Sequence, residues 1–357
     1  MERAVLPGAK LGYEAFFYPP TYLLVCLPLA LIPYFSALVV WLLATGYACW
    51  RAIRAFLRPV GVELVTPLLA FPAVFTNLEH GQNAFLTTAL FAAGAATIEL
   101  RPLLAGVLWG ALSFKPHLGV LIPLGLLAAG RWRAFLGAGL SASAFAAVAA
   151  LAFGPSIWLA FLHVSPLASR ALIEGWVAPA DMQSAFAAVR VLHGSLTMAA
   201  IVQAAVSICV CIVFLVLTSR RPRLEGRAFG AVVASATLAA SPFLLDYDLM
   251  LLAVPVAWVV REAASDGFRP WEKTILFAAF VAPLVSRLLA ATIGLPIAPL
   301  VLIALLWAVA RRAANGRGPR TFGGAMATTP PTLVLDDHDQ PRGVLPVQTV
   351  PSERGLL

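Results

Sequence analysis

The chain has 357 residues, 61% of them hydrophobic and only 12% charged. A soluble domain carries roughly 25% charged residues, so a single soluble core does not account for this composition, and the chain reads as a polytopic membrane protein. The net charge of +8 would point to nucleic acid in a soluble protein. Here the basic residues gather in short loops between apolar runs, the pattern that orients helices in a lipid bilayer, and no nucleic-acid partner is expected.

Residues 1–17 are mixed and hold no continuous apolar run of the signal-peptide kind; they read as an outer N-terminal segment. Tyr18-Pro19-Pro20 follows. The apolar run from Thr21 to Trp50 is too long for one span of roughly 20 residues and too short for two. Pro33 is expected to split it into a re-entrant helix over 21–32 and a spanning helix from Phe35 to Trp50. Arg51, Arg54 and Arg58 then mark a cytoplasmic end.

From there the alternation is regular. Residues 60–76 run outward to NLEHGQN, and 84–98 return to Glu99 and Arg101. Residues 102–130 form a hairpin with Lys115-Pro116-His117 at its tip. Residues 134–153 run outward, 154–195 form an amphipathic interfacial loop, and 196–218 return to a basic loop. A hairpin over 228–260 carries SPFLLDYD near its tip, and a last hairpin over 274–310 ends at Arg311 and Arg312. Most basic residues then fall on inner loops, whereas Arg3, Lys10, Lys115, Arg170, Arg190 and Arg287 fall on outer segments or tips. Moving one helix inverts this bias. The expected fold is all-α, a transmembrane bundle of about eleven spans over 18–312 with re-entrant hairpins. Residues 313–357, polar and rich in Gly, Pro and Thr, read as a disordered cytoplasmic tail. Asp336, Asp337, His338 and Asp339 in that tail are read as solvated charges, and no metal site is assigned. The four cysteines lie in apolar runs and read as small buried hydrophobes.

Both hairpins with polar tips are short for two crossings at 1.5 Å per residue. Their tips are therefore expected below the outer surface, in a water-filled cavity. That places Lys115 at the depth of Asp246 and Asp248, beside the stretch Asn77–Asn83. Ionisable groups inside a membrane are expensive and mark function by default.

Each polar group has a plainer explanation beside the functional one. In NLEHGQN, Asn77, His80, Gln82 and Asn83 would hydrogen-bond a sugar or place a phosphate; alternatively Asn77 stops a helix and Gly81 turns the chain. Lys115, with His117, would neutralise a phosphate, or Lys115 would snorkel to the surface. Asp246, Tyr247 and Asp248 would bind an acceptor or a metal, or one carboxylate would cap the returning helix. Arg170 in the outer loop would pair with a phosphate, or be a solvated charge. Arg287 is an embedded cation with no evident partner in the sequence. A divalent metal is possible but not indicated, and no nucleotide-binding pattern is present.

Taken together, FFYPPTYLLVCLPLALIPY, NLEHGQNAFLTTAL, LLAGVLWGALSFKPHLGVLIPLGLLAAGRWRAF and ASPFLLDYDLMLLAVP resemble the integral-membrane glycosyltransferases of family 87, over about residues 16–310 in the same order. The resemblance implies a GT-C-like helical architecture with the active site on the periplasmic face of a bacterial plasma membrane. Arginine-rich, alanine-rich composition suits such a source. The resemblance also implies a polyprenyl-phosphate sugar donor, usually of mannose, and a glycan or glycolipid acceptor. A carboxylate would take the acceptor proton while the lipid phosphate leaves, with cationic or hydrogen-bonding support for that charge. Lys115 with His80 or His117 would serve the leaving group; Gln82, Asn83 and Tyr247 would hold hydroxyls, and Tyr18 would bind the substrate or the donor phosphate.

One departure stands out. The family pattern has a first helix and an outer loop bearing the catalytic Asp before Tyr-Pro-Pro. Only residues 1–17 precede Tyr18, none of them Asp, and Glu14 is the sole nearby carboxylate besides Glu2. The expectation is a misplaced start; loss of catalysis, leaving a membrane scaffold, is the alternative. A transporter of lipid-linked sugars would need polar residues reaching from both faces and internal repeats. Polar tips on one side and no clear repeat favour the enzyme.

Overall fold

The computed structural model describes residues 16–58, 65–220 and 223–315. Among them the backbone is helical, with a single isolated bridge, Met182–Leu245, and no strand. Glu14, the first part of the expected outer segment, and the tail from residue 316, with Asp336–Asp339, lie outside the described residues.

Proline punctuates the chain. Helix α1 (Pro20–Cys26) begins on proline, where the missing N–H would have no intrahelical partner anyway. A short 3-10 turn, Leu29–Leu31, follows, and Pro33 precedes α2 (Tyr34–Leu57). The expected break at Pro33 is present. The helix, however, continues past Trp50 for two turns, because Arg51 and Arg54 are compatible with a helix end and suit its negative pole. The crossing expected over 60–76 is not one helix: α3 (Val65–Leu69) stops, and α4 (Pro72–His80) starts on a new proline. Proline disfavours helix in the residue before it. The helix also runs on through Asn77 to His80 and ends only at Gly81, whose φ of 61° is a left-handed cap.

Helix α5 (Ala84–Thr97) returns, and α6 (Pro102–Gly110) tightens into a 3-10 turn, Ala111–Phe114. The chain breaks at Lys115 and re-enters as α7 (Pro116–Gly119) and α8 (Leu121–Ala128), which is the expected short hairpin. Helix α9 (Trp132–Phe153) crosses next. The 154–195 region then contains α10 (Ser156–Val164), α11 (Pro166–Ile173), a turn at Pro179–Asp181 and α12 (Ala185–Val191). Helices α13 (Leu196–Ser219) and α14 (Gly226–Ala240), a 3-10 turn at Asp246–Leu252, α15 (Ala253–Asp266), α16 (Glu272–Ile293) and α17 (Ala298–Asn315) complete the bundle.

Five helices, α2, α9, α13, α16 and α17, are long and apolar enough to cross a membrane by length and composition. Their outward faces are oily: Leu140, Ile201, Ile208, Leu284 and Leu300 are all exposed. In water that surface would be an aggregation hazard; in lipid it is the solvated face. The remaining helices are shorter, and α10 (Ser156–Val164) among them has no buried residue. Helix α14 is buried from Ala228 to Ala239, as expected of a central helix apolar on all sides.

Close approach is bought with small residues. Gly106 and Gly110 form a G-x-x-x-G pair on α6. A Cβ at Gly106 would land on the Ala134 carbonyl of α9, and one at Gly110 on the Ala138 carbonyl. Gly230 sets α14 equally close to Ala95 of α5. These contacts hold the first short hairpin against α9 and the second against α5, and their tips meet at one end of the bundle. Gly106→Val is expected to destabilise the protein by roughly 1–3 kcal/mol through overpacking, read as a lower unfolding midpoint in detergent; an unchanged midpoint would show that α6 and α9 can separate freely.

Candidate active site

Three chain breaks converge. Asn83 opens α5, Lys115 sits at the tip of the first hairpin, and Asp248 lies in the 3-10 turn of the second. Lys115 Nζ donates to Asn83 Oδ1 at 2.9 Å and to Asp248 Oδ1 at 2.5 Å. Lys115 and Asp248 are each only 2% exposed. The lysine also lies 5.0 Å from the Tyr247 ring centroid. The other Asp248 oxygen accepts the Leu245 N–H at 3.3 Å, so this carboxylate caps its turn and binds the lysine at once. Asn77, fully buried, accepts the Ala84 N–H at 3.0 Å and ties the end of α4 to the start of α5.

This differs from the expected cavity wall. Asn77, Asn83, Lys115 and Asp248 face one another inside the bundle, because the tips are held close enough to satisfy their charges mutually. Among the described residues, the buried side-chain atoms Asn77 Nδ2, Asn83 Nδ2 and His117 Nε2 have no hydrogen-bond partner. Native interiors leave few such groups, and this inner cluster holds several. His117 stands edge-on to Phe243.

A second polar group faces outward. Arg287, two-thirds of the way along α16, is 46% exposed at its side chain. It reaches Asp181 Oδ1 at 2.8 Å and Asp246 Oδ2 at 3.0 Å, and its Nη1 lies 3.5 Å from His80 Nε2. The other Asp246 oxygen accepts the Tyr247 N–H at 2.8 Å. His80 is held by the Thr76 carbonyl at 2.8 Å, and its ring lies 6.0 Å from that of Tyr247. Tyr247 therefore separates the two groups, touching Lys115 on one side and His80 on the other.

Arg287, Asp246, His80, Glu79 and Thr76 line an open groove of about 570 Å³ between α4 and α16, together with the apolar side chains of Pro72, Phe75, Pro283, Leu284 and Leu288. Pro283 lies inside α16, one turn before Arg287. At the margin, Tyr18 donates to Gln82 Oε1 at 3.2 Å, and Tyr18 and Tyr22 lie 4.4 Å apart by ring centroids. Arg170 is exposed on α11 and makes none of these contacts. Among the described residues, no three His, Cys, Asp or Glu side chains form a metal-binding group.

Helix direction places both groups at one end of the bundle. Helices α5 and α8 start there and finish beside Arg101 and Arg131, and α16 starts beside Lys273 and reaches Arg287 about 20 Å later.

The model of glycosyltransferase family 87 matches residues 16–242. The chain belongs to this family. Glycosyl transfer is accordingly its activity class. No curated protein and no solved structure matched the chain. The family match takes in Tyr18, NLEHGQN and the Lys115 tip, and it stops short of Asp246–Asp248 and Arg287. The partners of Arg287 were not legible in the family 87 sequence: Asp181 lies in a loop far from it along the chain. The available signal was the oddity of an arginine within an apolar span.

The two aspartates of the family 87 chain should separate experimentally. Lys115→Met leaves Asp248 buried and uncompensated, and is expected to cost about 3–5 kcal/mol. The double variant Lys115→Met, Asp248→Leu should recover most of that loss. Unfolding midpoints of the four proteins in the cycle test this; additive losses would mean the pair is not coupled. Asp246→Asn, also buried but paired with a half-exposed arginine and nearly isosteric, should lower the midpoint less than Lys115→Met.

Proposed function

We propose that this glycosyltransferase moves a hexose, mannose in our reading, from a polyprenyl-phosphate donor to a glycan or glycolipid acceptor. The reaction takes place at the periplasmic face of a bacterial plasma membrane, with the C-terminal tail cytoplasmic. The observation that carries this reading is the placement of Arg287: a half-exposed cation in a groove that it shares with Glu79, His80 and Asp246 on the polar side and with Phe75, Leu284 and Leu288 on the apolar side. That juxtaposition suits an amphipathic donor, with the phosphate beside the guanidinium and the hydrocarbon chain along Phe75, Leu284 and Leu288.

In this mechanism the acceptor hydroxyl oxygen attacks the anomeric carbon while its bond to the phosphate oxygen breaks. Negative charge grows on the departing lipid phosphate, and Arg287 offsets it. Asp246 and Asp181 hold the guanidinium in place before the donor arrives, so little reorganisation remains for the reaction itself. The acceptor proton passes to a groove carboxylate, for which Glu79, exposed and lining the groove, is the candidate, since Asp246 is buried against Arg287. Lys115 acts indirectly, by fixing Asp248 and the Tyr247 ring. Tyr18, Gln82 and His80 border the space where sugar hydroxyls would lie.

Transfer of radiolabelled sugar from polyprenyl-phosphate mannose, followed in membranes supplied with a glycolipid acceptor pool, tests the assignment. Arg287→Ala is expected to lower turnover by about 10²–10³-fold, with a smaller fall in the unfolding midpoint than Lys115→Met, because the arginine is 46% exposed although the buried Asp246 loses its cation. Near-normal turnover would remove Arg287 from the site. The periplasmic assignment has its own test: a cysteine placed at Glu79 should react with an impermeant maleimide added to intact spheroplasts, and labelling confined to inverted vesicles would reverse the orientation.

A further inference from the structure

The opposite end of α16 carries a second constructed site. Between α15 and α16 the chain passes through Gly267, Phe268, Arg269, Pro270 and Trp271. The last turn of α17 clamps this loop. Arg312 reaches Glu272 through two bonds, at 2.6 and 2.5 Å, and both side chains are almost wholly buried. The same guanidinium donates to the Gly267 carbonyl at 2.8 Å, and Arg311 donates to the Pro270 carbonyl at 3.0 Å. Arg269 answers with a bond from its guanidinium to the Arg311 carbonyl at 2.9 Å, and its backbone N–H donates to Glu272 at 2.8 Å.

The clamp holds a conformation that the sequence alone disfavours. Trp271 has φ of 71°, in the left-handed region, which a bulky residue rarely adopts. The strain presents its indole outward, 71% exposed. Phe268 is also exposed, with the Lys273 ammonium 5.5 Å from its ring centroid. Phe268, Arg269, Pro270, Trp271, Lys273 and Thr274 together line a cavity of about 350 Å³. Two cations and a hydroxyl thus share a hollow with two outward aromatic rings. Aromatic rings at helix ends sit at the level of lipid headgroups, and basic side chains there attract anionic lipid.

We propose that this hollow binds the headgroup of an anionic phospholipid. The phosphate lies between Arg269 and Lys273, Thr274 donates a hydrogen bond to it, and Trp271 and Phe268 rest against the glycerol and upper acyl region. A free phosphate ion shares the ionic chemistry, but it would leave both rings without a role. The inference rests on the membrane reading of the fold and is independent of the groove at Arg287.

The test is thermal unfolding of the full chain, purified in a neutral detergent and titrated separately with short-chain phosphatidylglycerol, short-chain phosphatidylcholine and inorganic phosphate. Phosphatidylglycerol alone is expected to raise the midpoint saturably. Lys273→Gln removes one cation without touching the clamp, and Trp271→Gly removes the indole at a backbone position glycine adopts freely. Each variant should unfold normally without lipid and bind phosphatidylglycerol at least five-fold more weakly. Equal shifts from phosphatidylcholine would overturn the proposal, and so would a phosphatidylglycerol response unaltered in both variants. Inorganic phosphate reproducing the full shift would assign the site to a soluble anion instead and equally overturn the lipid assignment.

Discussion

The buried contact among Lys115, Asp248 and Asn83 is the constraint on which the outer end of the molecule depends. Removing an ammonium and a carboxylate from water costs several kcal/mol each, and their attraction offsets this only in good geometry with further hydrogen bonds. Those bonds are present: the amide of Asn83 on one side and the Leu245 N–H on the other. Because the three groups come from three separate chain breaks, each break must stop at the correct depth for any of them to be satisfied. The ion pair therefore acts as a register device for the hairpins, and the glycine contacts of α6 with α9 and α14 with α5 bring the hairpins near enough for it to form.

That register has a chemical consequence one residue away. In a tight 3-10 turn, alternate aspartates point in different directions. Asp248 turns inward to Lys115, whereas Asp246 turns outward to Arg287. Tyr247 between them packs against both sides. The inner pair is sealed and can tune position only. The outer group is accessible, carries a cation held by two carboxylates, and opens onto an apolar groove. A reaction that ejects a lipid phosphate needs the outer kind, since a cation already sealed in an ion pair cannot meet a new anion without first unburying.

The same economy appears at the opposite end, where Arg312 and Glu272 do for the loop before α16 what Lys115 and Asp248 do for the hairpin tips. Helix α16 thus runs from one buried, ionically fastened turn to an exposed arginine beside the groove. The bilayer supplies the remaining stabilisation, since four of the five long helices leave most of their apolar surface outside the protein. In that setting buried charges are suited to fixing where backbones stop, a task apolar packing performs poorly because one oily face slides easily over another.

Much of this was determined by the sequence alone. Apolar runs separated by basic loops specify a helical membrane bundle, prolines at 20, 33, 72, 102 and 116 set helix starts, and Gly81 ends α4, all through local backbone chemistry. The polar stretch at 77–83 and the tips at 115 and 246–248 also stood out, because ionisable groups are rare among apolar neighbours. The tertiary structure alone decided which of them pair. Burial of Lys115 against Asp248 and the meeting of Arg287 with Asp181 and Asp246 depend on how closely helices approach and where each hairpin tip stops. Those are non-local distances, set by packing between segments far apart in the chain, and no spacing within the sequence encodes them.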